Sequence, residues 1–443
     1  MVTHLPNEGS RAMASKLPGR EVIVVGAGLV GLSTAFYLSR AGFSVTIIER
    51  DQVGSGASRG NAGEITPLTA VPLAGPGMMK ETFKGVFTRD GTLTLSPARA
   101  LKLATFGLGF IRSSTQARLT SGVDAMTQLG RGALAAFAEM QDEGIKVEGG
   151  GSGFLYTAED ASHVESYHKL LSERAADGVS EMPEPIVYGS ELHQLEPVLD
   201  PACEAGFVAP GEIWIDPALL VESLGEYLRA QGVKILEGAR VVGVHPGAQP
   251  SVDYVHSGAR NELSADHVVV AAGAWASELL KPHGIHLGVV PGKGYSFTVA
   301  AEQLPTHLIH LTDARTVLVP MAGRLRVVGG MEFDGSYEAF HDDRIEMIER
   351  VTAPLVRGID WSQKSELWVG PRPMTADGLP IIGEYAKLPN IVMATGHNMH
   401  GLSLGPITGK AIAAQLSGQP VVVADRHVDM ERFAPARLRR LLS

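Results

Sequence analysis

Cysteine is almost absent from this chain, because only Cys203 occurs among its 443 residues. One cysteine cannot form an intrachain disulfide, and it excludes zinc or iron–sulfur sites that need several cysteine ligands. Such low cysteine use fits a reducing compartment. We therefore predict a cytoplasmic protein.

Excess positive charge and long apolar runs are also missing. The chain has 38 lysines and arginines against 48 acidic residues, which argues against a nucleic-acid binder with a broad basic face. Residues 1–20 are polar and predict a flexible extension, not a secretory signal. No run is long enough to span a membrane. Arg437, Arg439 and Arg440 in the terminal stretch could touch the inner face of a membrane, but a packed terminal helix is the preferred interpretation.

A βαβ unit is predicted near the start of the chain. Residues 22–25 are apolar and β-branched, as in a parallel strand that is buried on both faces. A helical stretch follows and stops at Gly42, and a second buried strand is predicted over 45–48, directly before Glu49.

Three glycines in this unit, Gly26, Gly28 and Gly31, form a G-x-G-x-x-G pattern. It follows a strand, opens a helix and has Glu49 eighteen residues beyond its last glycine, which is the context of a dinucleotide-binding turn. The glycines allow a tight turn, close approach of a pyrophosphate and close packing of helix and strand. Glu49 would accept hydrogen bonds from a ribose. The alternative is a tight turn in an unrelated α/β unit, which this context disfavours.

The segment after Glu49 favours FAD over NAD. Residues 54–67 are small and glycine-rich, so they can lie against a flat ligand. The later apolar runs 268–274 and 391–397 contain glycine at the point where each strand ends, and strand carboxyl ends are where an α/β sheet binds its ligand.

The order of elements predicts an α/β protein with two interleaved domains. A Rossmann-like FAD-binding domain is predicted over 21–80, 205–284 and 366–434. An α+β substrate domain with an antiparallel sheet is predicted over 81–204 and 285–365, because alternating runs dominate 285–370. Residues 435–443 are predicted to form a C-terminal tail.

Five stretches resemble the FAD-dependent D-amino acid oxidase superfamily, in particular its bacterial D-amino acid dehydrogenase branch of the small-subunit type. They are VIVVGAGLVGLSTAFYLSRAG, ASRGNAGEITP, PGKGYSF, GPRPMTADGLPIIG and ATGHNMHGLSLGPITGKAIAAQLSG. The resemblance extends over residues 21–434. It implies non-covalent FAD, since the NAG segment has no histidine and the C-terminal segment has no cysteine for a tether.

The resemblance also implies which residues contact the cofactor. Besides the glycine motif and Glu49, they are Arg50, Ser58, Asn61, Ala62, Gly63, Glu64, Val241, Ala272, Gly273, Trp275, Gly370, Gly396, His397, Gly401, Leu402 and Ser403. Two positions depart from the branch. Glu64 stands where glutamine is common, and the run after His397 reads NMHG, so that Asn398 and His400 could alter substrate choice.

Arg372 lies between two prolines and matches the arginine that grips the substrate carboxylate in this superfamily. A guanidinium can hold a carboxylate in a bidentate way, and a stiff backbone favours such a preorganised grip. A salt bridge to Asp377 and a contact with a flavin carbonyl are the alternatives. Tyr295 is expected to bound the pocket or to pack on the sheet, and His397 to be catalytic or structural. Trp214 and Trp368 are expected in the core.

The resemblance implies oxidation of a D-amino acid to a 2-oxo acid and ammonia, with hydride transfer from Cα to flavin N5. Oxidation of a secondary amine such as sarcosine, D-proline or hydroxyproline is the first alternative. A flavoprotein subunit for electron transfer or assembly, without its own turnover, is the second, and an NAD-binding reductase is a weaker third. The expected partners are the amino or imino acid and a quinone or oxygen as electron acceptor, and a homo- or hetero-oligomer stays open.

Overall fold

The structure of the protein is a computed structural model, and it describes residues 20–76, 93–95, 100–147, 149–150, 153–321 and 323–438. The predicted extension over 1–20 lies outside the described residues except for Arg20, as do Arg439 and Arg440 of the predicted tail. Within the described part, no helix has the length and apolar character needed to cross a membrane.

A six-stranded sheet forms the first half of the architecture. Its central strands are parallel and almost wholly apolar, with Val24 and Ile47 fully buried, as expected for strands covered on both faces. In spatial order its strands are Ile381–Tyr385, Leu388–Thr395, His267–Val270, Glu21–Val25, Ser44–Ile48 and Lys234–Leu236. Only the edge strand Ile381–Tyr385 runs antiparallel to its neighbour. The predicted Rossmann-like sheet is confirmed.

Two helices pack closely on this sheet. The helix Leu29–Arg40 follows the glycine motif, and the helix Gly401–Leu416 follows the last parallel strand, Leu388–Thr395. A Cβ added at Gly409 would come within 2.5 Å of the Ser33 backbone, so the two helices touch at a point where one of them has no side chain.

A nine-stranded, mainly antiparallel sheet forms the second half. Its strands, in spatial order, are Ile359–Met374, Val290–Ala301, Arg324–Phe333, Thr316–Met321, Leu308–Leu311, Phe154–Ala158, Ala205–Ala209 and Val187–Tyr188, with Leu93–Leu95 beside Arg324–Phe333. This confirms the antiparallel sheet predicted over 285–370. A separate three-stranded sheet contains Ala239–His245, Ser251–His256 and Ala259–Ser264, and two short pairs join Glu64–Ile65 to Ile213–Trp214 and Val422–Val423 to Arg426–His427.

The other described helices connect or cover these sheets. The α-helices are Ala100–Ser113, Gln116–Gly130, Ala133–Asp142, Ala161–Ala176, Ser190–Leu195, Pro217–Ala230, Ala276–Leu280 and Asp342–Thr352. Short 3₁₀ turns span Gly273–Trp275, Lys281–His283, Ala353–Leu355, Met430–Arg432 and Pro435–Leu438. Asp216 caps the helix Pro217–Ala230, because its carboxylate accepts hydrogen bonds from the backbone N–H groups of Ala218 and Leu219.

Two apolar stretches are each divided between two elements in the structure. Residues 126–144 belong to two helices, which break at Arg131 and Gly132. Residues 234–244 form two strands separated at Gly238, whose φ of +65° turns the chain from the parallel sheet into the three-stranded sheet. In both cases a tertiary change of direction overrides a continuous apolar pattern.

Strand pairing differs from the predicted boundaries at 205 and 366. Ala205–Ala209 pairs with Phe154–Ala158, and Ile359–Met374 pairs with Val290–Ala301 along its whole length. Both strands therefore belong to the nine-stranded sheet, although the prediction placed 205–209 and 366–374 with the FAD-binding segments. The division into domains stays a prediction.

Candidate active site

A cavity of about 2090 Å³ lies where the two large sheets face each other. Its walls come from the carboxyl ends of the parallel strands on one side and from Gly330, Met331 and Arg372 of the nine-stranded sheet on the other. Sites for small molecules usually measure about 300–1,000 Å³, so this volume admits a dinucleotide and a second molecule together.

The glycine motif shapes the cavity wall at the first strand tip. Gly26 has a φ of +106°, and a Cβ at Gly31 would lie 2.0 Å from the Gly26 carbonyl oxygen. Gly28, the residue before the helix, is extended and has no side chain to cap the helix. The turn therefore brings backbone without side chains to the cavity wall, where a pyrophosphate can approach the start of the helix closely.

Glu49 joins two strand tips beside this turn. Its carboxylate accepts hydrogen bonds from the backbone N–H of Ala27 at 2.6 Å and of Asp51 at 2.9 Å. Burial raises the pKa of Glu49, and the two N–H donors oppose that effect. Glu49 faces the cavity, so it is placed to accept from a ribose as predicted.

Ser58 and Asn61 organise the glycine-rich segment. The Ser58 hydroxyl oxygen accepts from Leu29 N–H at 3.0 Å, and the Asn61 side chain donates to the carbonyls of Ala57 and Ser58 and accepts from Gly63 N–H. Both residues also line the cavity. Their described hydrogen bonds hold the loop in shape rather than leaving the side chains open to a ligand.

Most of the predicted site residues meet at this cavity. Those that line it are Gly26, Gly28, Glu49, Arg50, Ser58, Asn61, Ala62, Glu64, Val241, Ala272, Gly273, Trp275, Arg372, His397, Gly401, Leu402 and Ser403. Gly31, Gly63, Gly370, Gly396 and Tyr295 do not line it. The four glycines among these make room for neighbours, since a Cβ at each would come within 2.6 Å of another residue.

Arg372 lines the cavity, and its side chain packs against Gly294 and Gly330 of the nine-stranded sheet. Its guanidinium donates to the Gly330 carbonyl at 2.9 Å and lies 3.7 Å from the Met331 sulfur. Burial lowers its pKa to about 10, partly offset by Glu64, so it remains charged at neutral pH. Among the described residues, no carboxylate lies within ion-pair distance of Arg372. An anion in the cavity is the partner that this cation lacks.

Gly294 is a functional position that the sequence reasoning missed. The Arg372 side chain lies across the strand Val290–Ala301, and a Cβ at Gly294 would be 2.2 Å from its Cζ atom. Gly292 on the same strand likewise leaves room for Met374 and Met331. The alternation of glycines in PGKGYSF was the available signal, because glycine at every second position leaves one face of a strand bare.

The Asp377 alternative for Arg372 is wrong. Asp377 instead pairs with Arg437, whose Nε lies 2.8 Å from the carboxylate, and both side chains are nearly buried. Arg437 also donates to the Leu379 carbonyl at 2.7 Å. Arg437 thus fixes the loop that follows Arg372. Its packing against the protein agrees with the preferred interpretation of the terminal stretch, in which that stretch packs and does not contact a membrane.

Tyr295 belongs to the core and not to the pocket. Its side chain is fully buried, and its hydroxyl donates to Glu332 Oε2 at 2.5 Å. Burial and this acidic neighbour raise the pKa of Tyr295. The expectation of a packed sheet tyrosine holds, and the expectation of a pocket-lining role is wrong.

His397 and His400 line the cavity as neutral groups. Burial lowers the pKa of His397 to about 3 and that of His400 to about 4. His397 shares a hydrogen bond with Thr408 at 2.9 Å, and His400 with the Val71 carbonyl at 3.3 Å. Neither imidazole can carry a positive charge near neutral pH, so electrostatic catalysis by His397 has no support in its surroundings.

Asn398 connects the loop of His397 to the end of the Arg372 strand. It has a φ of +54°, accepts from Thr375 N–H at 2.8 Å and donates to the Gly396 carbonyl at 2.9 Å. Asparagine tolerates this left-handed backbone better than most residues. The side chain is therefore occupied in fixing the loop, which leaves little of it for the expected role in substrate choice.

Trp368 differs from its expected place in the core, whereas Trp214 is buried as expected. The Trp368 ring borders the cavity between Gly60 and Gly370, where an added Cβ would come within 2.2 Å of it. The two glycines therefore create a slot for the indole at the cavity wall.

Residues 21–415 match the family model described as FAD dependent oxidoreductase. The chain belongs to this family. Its cofactor is FAD. In this oxidoreductase the cofactor would be held by the glycine turn, by Glu49 and by the glycine-containing segment 57–64. Bound FAD supplies the electron acceptor within the site.

Curated relatives cover nearly the whole chain. A D-amino acid dehydrogenase of Bradyrhizobium diazoefficiens is 28% identical over 435 residues, covering 94% of this chain and 99% of the relative. A D-amino acid dehydrogenase of Methylobacterium radiotolerans is 29% identical over 425 residues, with 93% and 99% covered.

Solved structures share the fold at lower identity. Glycine oxidase from Geobacillus kaustophilus aligns with a TM-score of 0.70 and 22% identity over 94% of this chain and 99% of its own. L-proline dehydrogenase from P. horikoshii aligns with a TM-score of 0.69 and 18% identity over 96% and 99%. The oxidoreductase therefore shares the fold of these solved proteins.

Proposed function

We propose that this oxidoreductase converts a D-amino acid to a 2-oxo acid and ammonia. The observation that carries the proposal is Arg372, a charged guanidinium at the floor of the FAD cavity with no carboxylate partner among the described residues. A substrate carboxylate supplies that partner. Each charge-assisted hydrogen bond to it contributes roughly 1.5–3 kcal/mol.

The chain's own residues orient the substrate. Arg372 would hold the carboxylate and so fix the direction of Cα relative to the cofactor, and bound FAD would supply the acceptor for the hydride that leaves Cα. His397 and His400 are neutral, so they impose no positive charge on an amine that must itself be neutral to react. The imine that leaves is hydrolysed by water.

The wall next to Arg372 favours an apolar substrate side chain. Phe106 and Phe110 from the helix Ala100–Ser113 line it together with Met331, Phe333 and Met374, and the rings of Phe106 and Phe333 lie 5.9 Å apart. Burial of apolar substrate groups there is favourable. We accordingly propose D-amino acids with apolar side chains as the first substrates to test.

Oxidation of a secondary amine is the second candidate. It is supported by the fold shared with proteins named L-proline dehydrogenase and iminodiacetate oxidase. The same arginine serves either substrate class, and only the amine pocket would differ. We also propose that FAD is bound without a covalent tether to cysteine, since Cys203 packs in the core of the nine-stranded sheet.

An anaerobic titration of the purified holoenzyme tests the proposal. Bleaching of the flavin absorbance by D-alanine or D-phenylalanine, and not by the L-isomers, is the expected result. Bleaching by sarcosine or D-proline alone would favour the secondary amine. Flavin that no amino or imino acid reduces would point to a subunit without its own turnover.

Arg372→Leu tests the carboxylate grip, with Arg324→Leu as the matched control. Arg324 lies in the same sheet, is about half exposed and pairs with Glu366 outside the cavity. We expect Arg372→Leu to keep FAD and to raise the KM for the amino acid strongly, while the control leaves it unchanged. An unchanged KM in Arg372→Leu would exclude this substrate orientation.

A further inference from the structure

The segment between the strand Arg324–Phe333 and the helix Asp342–Thr352 crosses from the nine-stranded sheet to the dinucleotide side of the cavity. We call residues 334–341 the strap. Its residue Tyr337 lines the cavity together with Arg50 and Trp275, which lie at the tips of the parallel strands.

The base of the strap is held by a buried lysine. Lys293 is fully buried, and its ammonium lies 2.9 Å from Glu332 and from Asp334, 3.1 Å from the Ser336 hydroxyl and 2.7 Å from the Ala339 carbonyl. A buried ammonium is tolerated only where acceptors surround it in this way. Lys293 therefore fixes the course of the strap.

This acidic cluster does not present a metal site. Glu332, Asp334 and His341 have ligand atoms within 4.8 Å of one another. The Lys293 ammonium, however, already lies at 2.9 Å from both carboxylates and occupies the place of a cation. Lys293 thus offsets one of the two negative charges of the cluster from within the protein.

The tip of the strap contacts the dinucleotide side through two side chains. The Tyr337 ring stacks on Trp275 with centroids 5.2 Å apart and an interplanar angle of 17°, and its hydroxyl interacts with Glu278. Glu338 forms an ion pair with Arg50, and the Arg50 guanidinium lies 4.4 Å over the Trp275 ring. Arg50 follows directly on Glu49, so these contacts lie beside the place predicted for the adenosine ribose.

We propose that the strap is part of the FAD site: Tyr337 and Glu338 hold Trp275 and Arg50 against the adenosine half of the cofactor, and Lys293 is the positioning residue that keeps the strap there. Aromatic stacking of the kind seen for Tyr337 persists only while both rings are held in place. The proposal depends on FAD as the cofactor and not on which amine is oxidised.

Release of flavin from the holoenzyme tests the proposal, followed by the rise in flavin fluorescence after dilution. We expect Tyr337→Ala to release FAD about three- to tenfold faster, because one aromatic pair is lost. Lys293→Met should release it faster still.

Salt provides a second readout. The ion pair between Arg50 and Glu338 is exposed, so salt should accelerate release from the wild type, and Glu338→Gln should remove part of that dependence. The control is Lys364→Met, a lysine of the same sheet that pairs with Glu349 outside the cavity lining. It should release FAD at the wild-type rate.

Wild-type release rates in both Tyr337→Ala and Glu338→Gln would overturn the proposal, even if Lys293→Met failed to fold. A holoenzyme that releases FAD faster in these variants but oxidises no amino acid would support the strap and refute the proposed function instead.

Discussion

Gly294→Ala isolates the position of the Arg372 guanidinium. The alanine Cβ would lie 2.2 Å from Cζ and 2.3 Å from both terminal nitrogens, whereas ordinary contact begins near 3.4 Å, so the guanidinium must move by 3.4 − 2.2, or about 1.2 Å. Gly294 lies in the strand Val290–Ala301 and has no positive φ, so its backbone accepts alanine, although the pairing with Arg324–Phe333 shifts register there. The mobile end of one side chain moves, and the fold should persist.

The expected loss follows from the carboxylate contact. A shift of this size breaks at least one charge-assisted hydrogen bond, which costs roughly 1.5–3 kcal/mol, or about 10- to 150-fold in kcat/KM. Most of the effect should appear in KM, because the carboxylate is bound before and during the reaction.

Steady-state kinetics on the best D-amino acid, together with FAD content and thermal unfolding, measures this prediction. Gly247→Ala is the matched control, because a Cβ there meets nothing closer than 3.9 Å. Wild-type KM in Gly294→Ala, with FAD retained, would refute the inferred path of Arg372 across the strand. Loss of FAD as well would show that the change is not confined to the substrate site.

Three further predictions concern the cofactor turn, the neutral histidines and the packed C-terminus. Gly31→Ala should destabilise the protein by about 1–3 kcal/mol and lower its FAD content, because the new Cβ meets the Gly26 carbonyl at 2.0 Å. Burial lowers the pKa of His397 to about 3 in the folded state, against about 6.5 in the unfolded state. Between these two values the unfolded state binds more protons, so the free energy of unfolding falls as the pH drops below 6.5. At pH 4.5 the loss is about 2–3 kcal/mol, and His397→Gln should remove it in urea titrations. Arg437→Met should cost about 2–4 kcal/mol by leaving Asp377 unpaired, measured by urea unfolding at neutral pH.

Each of these predictions has an outcome that contradicts it. Full FAD content in Gly31→Ala would show that the helix can shift without opening the turn. An unchanged acid sensitivity in His397→Gln, equal to that of the exposed control His427→Gln, would mean that His397 is not held neutral. Wild-type stability of Arg437→Met would show that its ion pair with Asp377 contributes no net stability.

Local pattern predicted the elements that hold the dinucleotide. The apolar strand before Gly26, the helix after it and the acid Glu49 were all found where the spacing indicated. These features depend on residues close together in the chain, and a wholly apolar strand has few alternatives to burial on both faces. Arg372, His397 and Trp275, which the resemblance assigned to the site, all line the same cavity, and their roles there stay predictions.

The sequence pattern predicted side-chain contacts less well where the two partners lie far apart along the chain. Tyr295 was expected either at the pocket or packed on the sheet, and only the contact of its hydroxyl with Glu332 decided for the sheet. Asp377 was considered as an ion-pair partner of Arg372, but it pairs with Arg437. Trp368 was expected in the core, but its ring lies at the cavity wall, where Gly60 has no side chain to occupy the space. No spacing rule links residues so far apart in sequence, since sheet register and loop packing bring them together.

The amino-acid pattern alone was enough to predict a parallel, glycine-edged sheet that binds a dinucleotide, because steric freedom at Gly26 and burial of the neighbouring strands are local properties. The course of Arg372 over Gly294 into the cavity, with no protein carboxylate near it among the described residues, became visible only in the folded chain, as did the contacts of Lys293 with the strap and of the strap with Trp275. Charged and aromatic side chains from distant parts of the sequence come into contact through strand pairing and loop packing, and those contacts exist only once both sheets have formed.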